Sequence, residues 1–262
     1  MADDSDGRAA SASLTARMTV LEALAVLVAG AVAGGVNTVV GSGSLITFPT
    51  LVAVGYSPVT ANVSNSIGLV PGGVSGSIGY RAELRGQGRR TVILGVGTTI
   101  GAVIGGVLLL QLPSSVFDAV VPALILLAVA LMAFRPAPKQ HEQGNNMVGG
   151  VASSFATGIY GGYFGAAQGI ILMSLLRLCF SEHLQVLNAI KNVLAGIANL
   201  VAGVLFMFFA PHVAWGAAAL IAVGSTGGAQ VGARYGRRLP EEMLRRIVIV
   251  YGTIVAAILI IT

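Results

Sequence analysis

Residues 34–49 read GGVNTVVGSGSLITFP, and an apolar run beginning at Met18 leads straight into them. Four glycines, an asparagine, two serines and a proline stand where a membrane helix should continue. Such a stretch gives up helix propensity and frees backbone N–H groups. In lipid those groups must find partners or line a cavity. The segment is therefore either a close-packing surface or a place where something polar binds.

The rest of the chain sets the solvent. Of 262 residues, 55% are hydrophobic and 10% charged, and the mean hydropathy is +0.85. A soluble domain carries about 25% charge. Stretches 23–80, 91–117 and 192–233 carry none, and a helical span needs roughly 20 apolar residues. The sequence thus predicts an all-α polytopic membrane protein. Cys179 is alone, which excludes an intrachain disulfide and a thiolate cage. His141, His183 and His212 fall in or near loops, far apart, and read as surface histidines; no metal or cofactor is expected. The net charge of +5 does not signal nucleic acid, because nine of the fifteen basic residues sit in two short loops, as topology signals do. Residues 1–17 are polar and read as a disordered tail. The apolar run after them could pass for a signal peptide, but it belongs to an internal repeat.

That repeat is visible at an offset of 127 residues. GVGTTIGAVIGGVLLLQLP (95–113) and AVGSTGGAQVGARYGRRLP (222–240) share eight of nineteen positions. Their glycines recur every four residues, at 97, 101 and 105 and at 224, 228 and 232, one face of a helix suited to close packing. A weaker echo at offset 126 sets ANVSNSIG (61–68) against LNAIKNVL (187–194). It pairs Asn62 with Asn188, Asn65 with Lys191 and Ser66 with Asn192. Gly35 and Gly43 fall opposite Gly161 and Gly169 in GGYFGAAQG, so the opening stretch has a partner. Two halves, 18–134 and 147–262, are joined by the polar linker 135–146.

Basic residues orient the halves. Loop 81–90, RAELRGQGRR, has four arginines, while its counterpart FAPHVAW (209–215) has no charge beyond a histidine. Conversely QLPSSVFD (111–118) has no basic residue, and its counterpart RYGRRLPEEMLRR (234–246) has five. Opposite basic content places the halves in opposite orientations, an inverted-topology repeat of the kind found in secondary transporters. Parity then requires 147–176 to enter and return before 184–209 crosses. At 1.5 Å per residue about 30 residues make two short helices. Each half is expected to hold a Gly-rich broken or re-entrant helical hairpin followed by three spans, in the first half at 59–80, 91–111 and 116–134. The linker lies in the cytoplasm and both termini lie outside. The alternative, one long tilted helix through each Gly-rich segment, breaks the charge pattern.

Opposed hairpins bring two helix breaks to the bilayer midplane, where unpaired N-terminal N–H groups suit anions. The polar residues beside them are Asn37, Thr38, Ser42 and Ser44 on one side and Gln168 on the other. The following helices add Asn62, Asn65 and Ser66, then Asn188, Lys191 and Asn192, in both cases at i, i+3, i+4 on one face. Ser64 accompanies them. Lys191 is the one charge inside an expected span; it reads either as a cation on an anion pathway or as a lysine snorkelling from near a helix start. The asparagines read as substrate contacts or as interhelical glue. No Asp or Glu lies mid-span, so a carboxylate proton relay is not visible, and there is no phosphate-cradling G-x-x-x-x-G-K-[ST] motif. No cluster suggests an enzyme.

With these residues in view, the chain resembles the sulfite exporter TauE/SafE family of bacterial membrane transporters. The resemblance is carried by AGGVNTVVGSGSLITFPTLVAVGYSPVTANVSNSIG (33–68), RAELRGQGRR (81–90), GIYGGYFGAAQGIILM (158–173) and NAIKNVL (188–194). In the second half, family members often carry a Pro-Gly or triple-Gly signature where this chain has GAAQG. The resemblance implies a plasma-membrane protein that moves small sulfur-containing or organic anions such as sulfite, thiosulfate or sulfoacetate, driven by proton-motive force. Two rivals remain, a non-transporting membrane scaffold and an anion channel. Whether the chain forms a homo-oligomer is left open.

Overall fold

The computed structural model describes residues 18–133 and 145–235. The tail 1–17, nearly all of the linker, and the end of the second half with its basic loop beyond Tyr235 lie outside the described residues. Within them the regular structure is helical: α1 (Val20–Val39), α2 (Ser44–Ala53), α3 (Pro58–Gly79), α4 (Gly88–Gln111), α5 (Ser114–Ala133), α6 (Met147–Tyr163), α7 (Gln168–Cys179), α8 (Leu184–Phe209) and α9 (Trp215–Tyr235).

Local chemistry sets the helix starts. Thr19 and Glu22 form a reciprocal capping box on α1, Thr19 N–H donating to Glu22 Oε2 at 2.8 Å and Glu22 N–H to Thr19 Oγ1 at 3.2 Å. Ser57 caps α3, whose first residue is proline, and Asn146 and His183 cap α6 and α8.

Three described helices are long and apolar enough to cross a membrane: α1, α4 and α8. With 22 residues, α3 is long enough but is not among them. It buries Asn62, Ser64, Asn65, Ser66 and Ser75, together with Gly68, Gly72, Gly73 and Gly76. Its neighbours are other helices, so it needs no apolar coat. The outer faces of α1 and α4 do carry one: Leu21, Leu24, Val28 and Val32 on α1, and Val92, Val96, Ile100 and Ile104 on α4, are all exposed. That distribution suits lipid on the outside.

Small residues dictate the pairing. A Cβ on Gly30 would meet Ile221, one on Gly34 would meet Ser225, and one on Gly232 would meet the Gly35 carbonyl oxygen at 2.7 Å. Partners rise together along both chains, so α1 and α9 run parallel with their backbones in contact. In the same way Gly97, Gly101 and Gly105 of α4 face Val151, Phe155 and Ile159 of α6, again in parallel. Gly68, Gly72 and Gly79 of α3 face Ile221, Ser225 and Ala233 of α9. Only α3 and α8 among these pairs run antiparallel: Gly73 meets Gly196, whereas Gly203 meets Ile67. A side chain cannot enter such a seam without parting the backbones. We expect Gly158→Leu, whose Cβ would stand 2.6 Å from the Thr98 carbonyl oxygen, to cost at least about 1–3 kcal/mol; thermal unfolding in detergent measures it.

The loops gather at two ends. At one, Arg90 pairs with Glu182 at 2.7 Å, donates to Asn145 at 3.1 Å and stands 4.6 Å from the Phe180 ring centroid. The Arg-rich loop, the α7–α8 connection and the start of α6 therefore share an end. At the other, the Ala214 N–H donates to Ser64 Oγ at 2.9 Å, and Met18, Val54, Tyr56 and Val213 pack on one hydrophobic cluster.

Candidate functional site

The stretch 34–49 serves two purposes, and its glycines divide between them. Gly34 and Gly35 are helical and lie against α9. The chain leaves the helix only at 40–43, where Gly41 has φ +93°. Such a backbone favours glycine. The second break spans 164–167, with Gly165 at φ +74° and Ala167 at φ +57°. The two breaks touch. Gly169 N–H donates to the Gly41 carbonyl at 3.0 Å, and a Cβ on either glycine would fall within 2.6 Å of a backbone carbon of the other.

Polar side chains from α3 and α8 close around that contact. Lys191 Nζ donates to the Asn37 carbonyl at 3.0 Å and lies 3.5 Å from the Thr38 carbonyl. Asn188 and Asn192 also donate to the Thr38 carbonyl, at 3.2 and 3.1 Å. Three donors thus hold the last carbonyls of α1, the negative end of its dipole. On the other side, Asn62 Nδ2 donates to the Tyr163 carbonyl, the last of α6, at 2.9 Å. Asn65 serves the start of α2: it accepts from Thr47 Oγ1 and donates to Ser44 Oγ at 3.2 Å.

One expectation changes here, and one of the two readings of Lys191 falls away. The break amides at Gly43 and Gly169 are not left free: Gly43 N–H donates to Asn37 Oδ1 at 3.4 Å and Gly169 N–H to Gly41. What the side chains capture is the carboxyl end of each preceding helix, because those carbonyls are the acceptors that amide and ammonium groups seek. Nor does Lys191 snorkel; at 1% exposure it is buried at the centre.

The eleven candidate residues do not all converge. Ser66 gives its hydroxyl to the Asn62 carbonyl one turn back on its own helix, at 2.9 Å, the ordinary habit of a helical serine. Thr38 does likewise toward Gly34, at 2.8 Å, and contributes its carbonyl. Three others keep a buried polar atom without a hydrogen-bond partner: Ser42 Oγ, Asn62 Oδ1 and Gln168 Nε2. Ser42 follows Gly41 and Gln168 precedes Gly169, so both flank the contact between the breaks. The Gln168 carboxamide lies on Gly161 in the last turn of α6, the turn whose terminal carbonyl Asn62 holds.

A protein-family model described as sulfite exporter TauE/SafE matches residues 26–259, which takes in both breaks and every candidate residue. The chain belongs to the TauE/SafE family. Curated relatives are named as probable membrane transporter proteins. YfcA of Escherichia coli strain K12 is 23% identical over 236 residues, covering 86% of this chain and 84% of its own. ORF9 of a Sinorhizobium species is 24% identical over 233 residues, covering 87% and 88%. A Haemophilus influenzae protein is 23% identical over 231 residues, covering 87% and 90%. No solved structure matches the chain significantly. Family and relatives together make this a membrane transporter.

Sequence reasoning passed over two braces in this TauE/SafE chain. Thr47 supports Asn65; its spacing of three from Ser44 puts both on one face of α2, a signal that was available. The Tyr160 hydroxyl donates to the Ala166 carbonyl at 2.6 Å and so spans the second break from within. A tyrosine beside a Gly-Gly pair is the trace it leaves in the sequence.

Proposed function

We propose that the chain is a secondary transporter that exports a small sulfur-containing or organic anion, of the sulfite, thiosulfate or sulfoacetate kind, across the bacterial plasma membrane. The site is the midplane contact between the two Gly-rich breaks. Asn37, Thr38, Ser42 and Ser44 of the first break, Gln168 of the second, Asn62, Asn65 and Ser66 of α3, and Asn188, Lys191 and Asn192 of α8 surround it. The halves 18–134 and 147–262 are inverted repeats, each opening with a re-entrant hairpin, with the linker 135–146 in the cytoplasm and both termini outside.

The observation that carries the reading is the backbone contact Gly169 to Gly41, ringed by buried polar groups from elements 126 residues apart in register. Irregular backbone at membrane depth belongs where it is buried in protein or lines a pathway. Support for the symmetry is reciprocal. The parallel pair α1 with α9 corresponds to α6 with α4, and α3 and α8 run antiparallel. Asn62 caps one preceding helix as Asn188 caps the other. All of the candidates except Asn37 are buried, which fits an occluded conformation of such a transporter.

The scaffold reading has one observation in its favour: Lys191, Asn188 and Asn192 all give bonds to protein carbonyls. Flux separates the two. Purified protein in loaded proteoliposomes is expected to give saturable efflux of one of the three anions. An imposed potential contributes about 2.3 kcal/mol per charge per 100 mV, and a pH gradient in its place identifies the coupling. Zero flux for all three sinks the transporter reading and leaves the scaffold.

A further inference from the structure

The three unpartnered atoms around the breaks are not of one kind. Asn62 Nδ2 donates to the Tyr163 carbonyl, and a carbonyl cannot donate, so the orientation of that amide is fixed. Asn62 Oδ1 is therefore a buried acceptor that lacks a donor, in a side chain 1% exposed. Ser42 Oγ and Gln168 Nε2, at 1% and 3% exposure, supply donors. A fully deprotonated oxyanion only accepts. It satisfies Ser42 and Gln168 but sets one of its own negative oxygens against Asn62 Oδ1. An oxyanion that still carries one proton satisfies all three.

We propose that the site takes its substrate as the singly protonated monoanion, with the O–H of the substrate donated to Asn62 Oδ1 and its charged oxygens accepting from Ser42 and Gln168. This rests on the transport reading above. The consequence concerns coupling. Stretches 23–80, 91–117 and 192–233 contain no Asp or Glu to relay a proton. The proton then crosses on the substrate: it binds the dianion in water on one side and is released to water on the other. One negative charge and one proton move together, and no bond to the protein is made or broken.

The test compares sulfite with methanesulfonate, which has the same charged head and no ionisable proton, in proteoliposomes of the full chain. The sulfite rate should fall about tenfold per pH unit above its second ionisation, following the hydrogen-sulfite fraction. Methanesulfonate should run at least about tenfold slower, since it leaves a buried acceptor unmet. In Asn62→Leu that acceptor is gone, and the two rates should converge. Ser42→Ala should slow both alike. A sulfite rate independent of pH, or equal wild-type rates, overturns the inference while leaving transport intact. Absence of flux for both anions overturns this inference, and zero flux of thiosulfate and sulfoacetate as well overturns the transport reading. Should Asn62→Leu fail to fold, the wild-type comparison decides alone.

Discussion

Lys191→Met is expected to abolish substrate flux, a fall of at least about a hundredfold for about 3 kcal/mol of lost interaction, and to lower the stability of the protein as well. Both effects come from one contact set. The ammonium is 1% exposed and donates to the Asn37 carbonyl at 3.0 Å. Hydrogen bonds to a charged group contribute about 1.5–3 kcal/mol, and a buried carbonyl left without a donor costs about 1–3 kcal/mol. A cation at a helix carboxyl end adds up to about 2 kcal/mol when partly buried. Methionine keeps the length of the side chain and removes all of these. The position of α1's last turn then rests on Asn188 and Asn192, which reach only Thr38. Because the first break begins two residues later, its geometry is lost before the helix is. Lys191→Arg separates charge from shape: a planar guanidinium keeps the cation but cannot occupy the place of a compact ammonium. It is expected to retain most of the thermal stability and little of the flux. Flux retained in Lys191→Met with unchanged melting in detergent would refute both roles.

The sequence makes the placement of Lys191 legible in part. Its echo with Asn65, and that of Asn188 with Asn62, mark the two inner helices α3 and α8, and helix α8 begins and ends where the apolar pattern puts it, at 184 and 209. Loop chemistry places the Arg-rich loop and the α7–α8 connection on one side, and Arg90 with Glu182 joins them. What Lys191 binds is not legible, since its partner is a backbone carbonyl 154 positions away, and a carbonyl has no residue identity. Gly34 and Gly41 look alike in sequence for a similar reason. One has a backbone partner in α9 and stays helical; the other turns to positive φ against Gly169. Helix α3 misleads in the opposite direction. Hydropathy undervalues it because its serines and asparagines face other helices, which only packing reveals.

Gly169→Ala is expected to abolish transport, and Gly227→Ala, in the same protein and also helical, to stabilise it. The added methyl is the same; the surroundings decide. At Gly169 a Cβ would lie 2.5 Å from Gly41 Cα and 2.9 Å from its carbonyl oxygen. Those are backbone atoms, which cannot rotate away as the end of a side chain can. The breaks must separate, and the 3.0 Å bond from Gly169 N–H to Gly41 goes with them. Overpacking of this kind costs about 1–3 kcal/mol, and it falls entirely on the state in which the breaks meet. A transporter that cannot reach its occluded state cannot cycle, so flux suffers far more than folding. Gly41→Ala is worse, since it adds a left-handed backbone, about 1–2 kcal/mol, to contacts of 2.6 and 2.7 Å with Gly169. At Gly227 nothing lies within 4 Å of the added atom. Alanine there restores helix propensity, about 0.5–1 kcal/mol, with flux unchanged. Gly196→Ala, whose nearest neighbour would be 3.7 Å away across the antiparallel α3–α8 crossing, is tolerated in the same way. Efflux and thermal unfolding on the four variants decide the matter. Parallel losses in both measurements at Gly41 and Gly169 would make the contact a packing seam like those of α4 with α6; loss of flux with little loss of stability makes it the moving part.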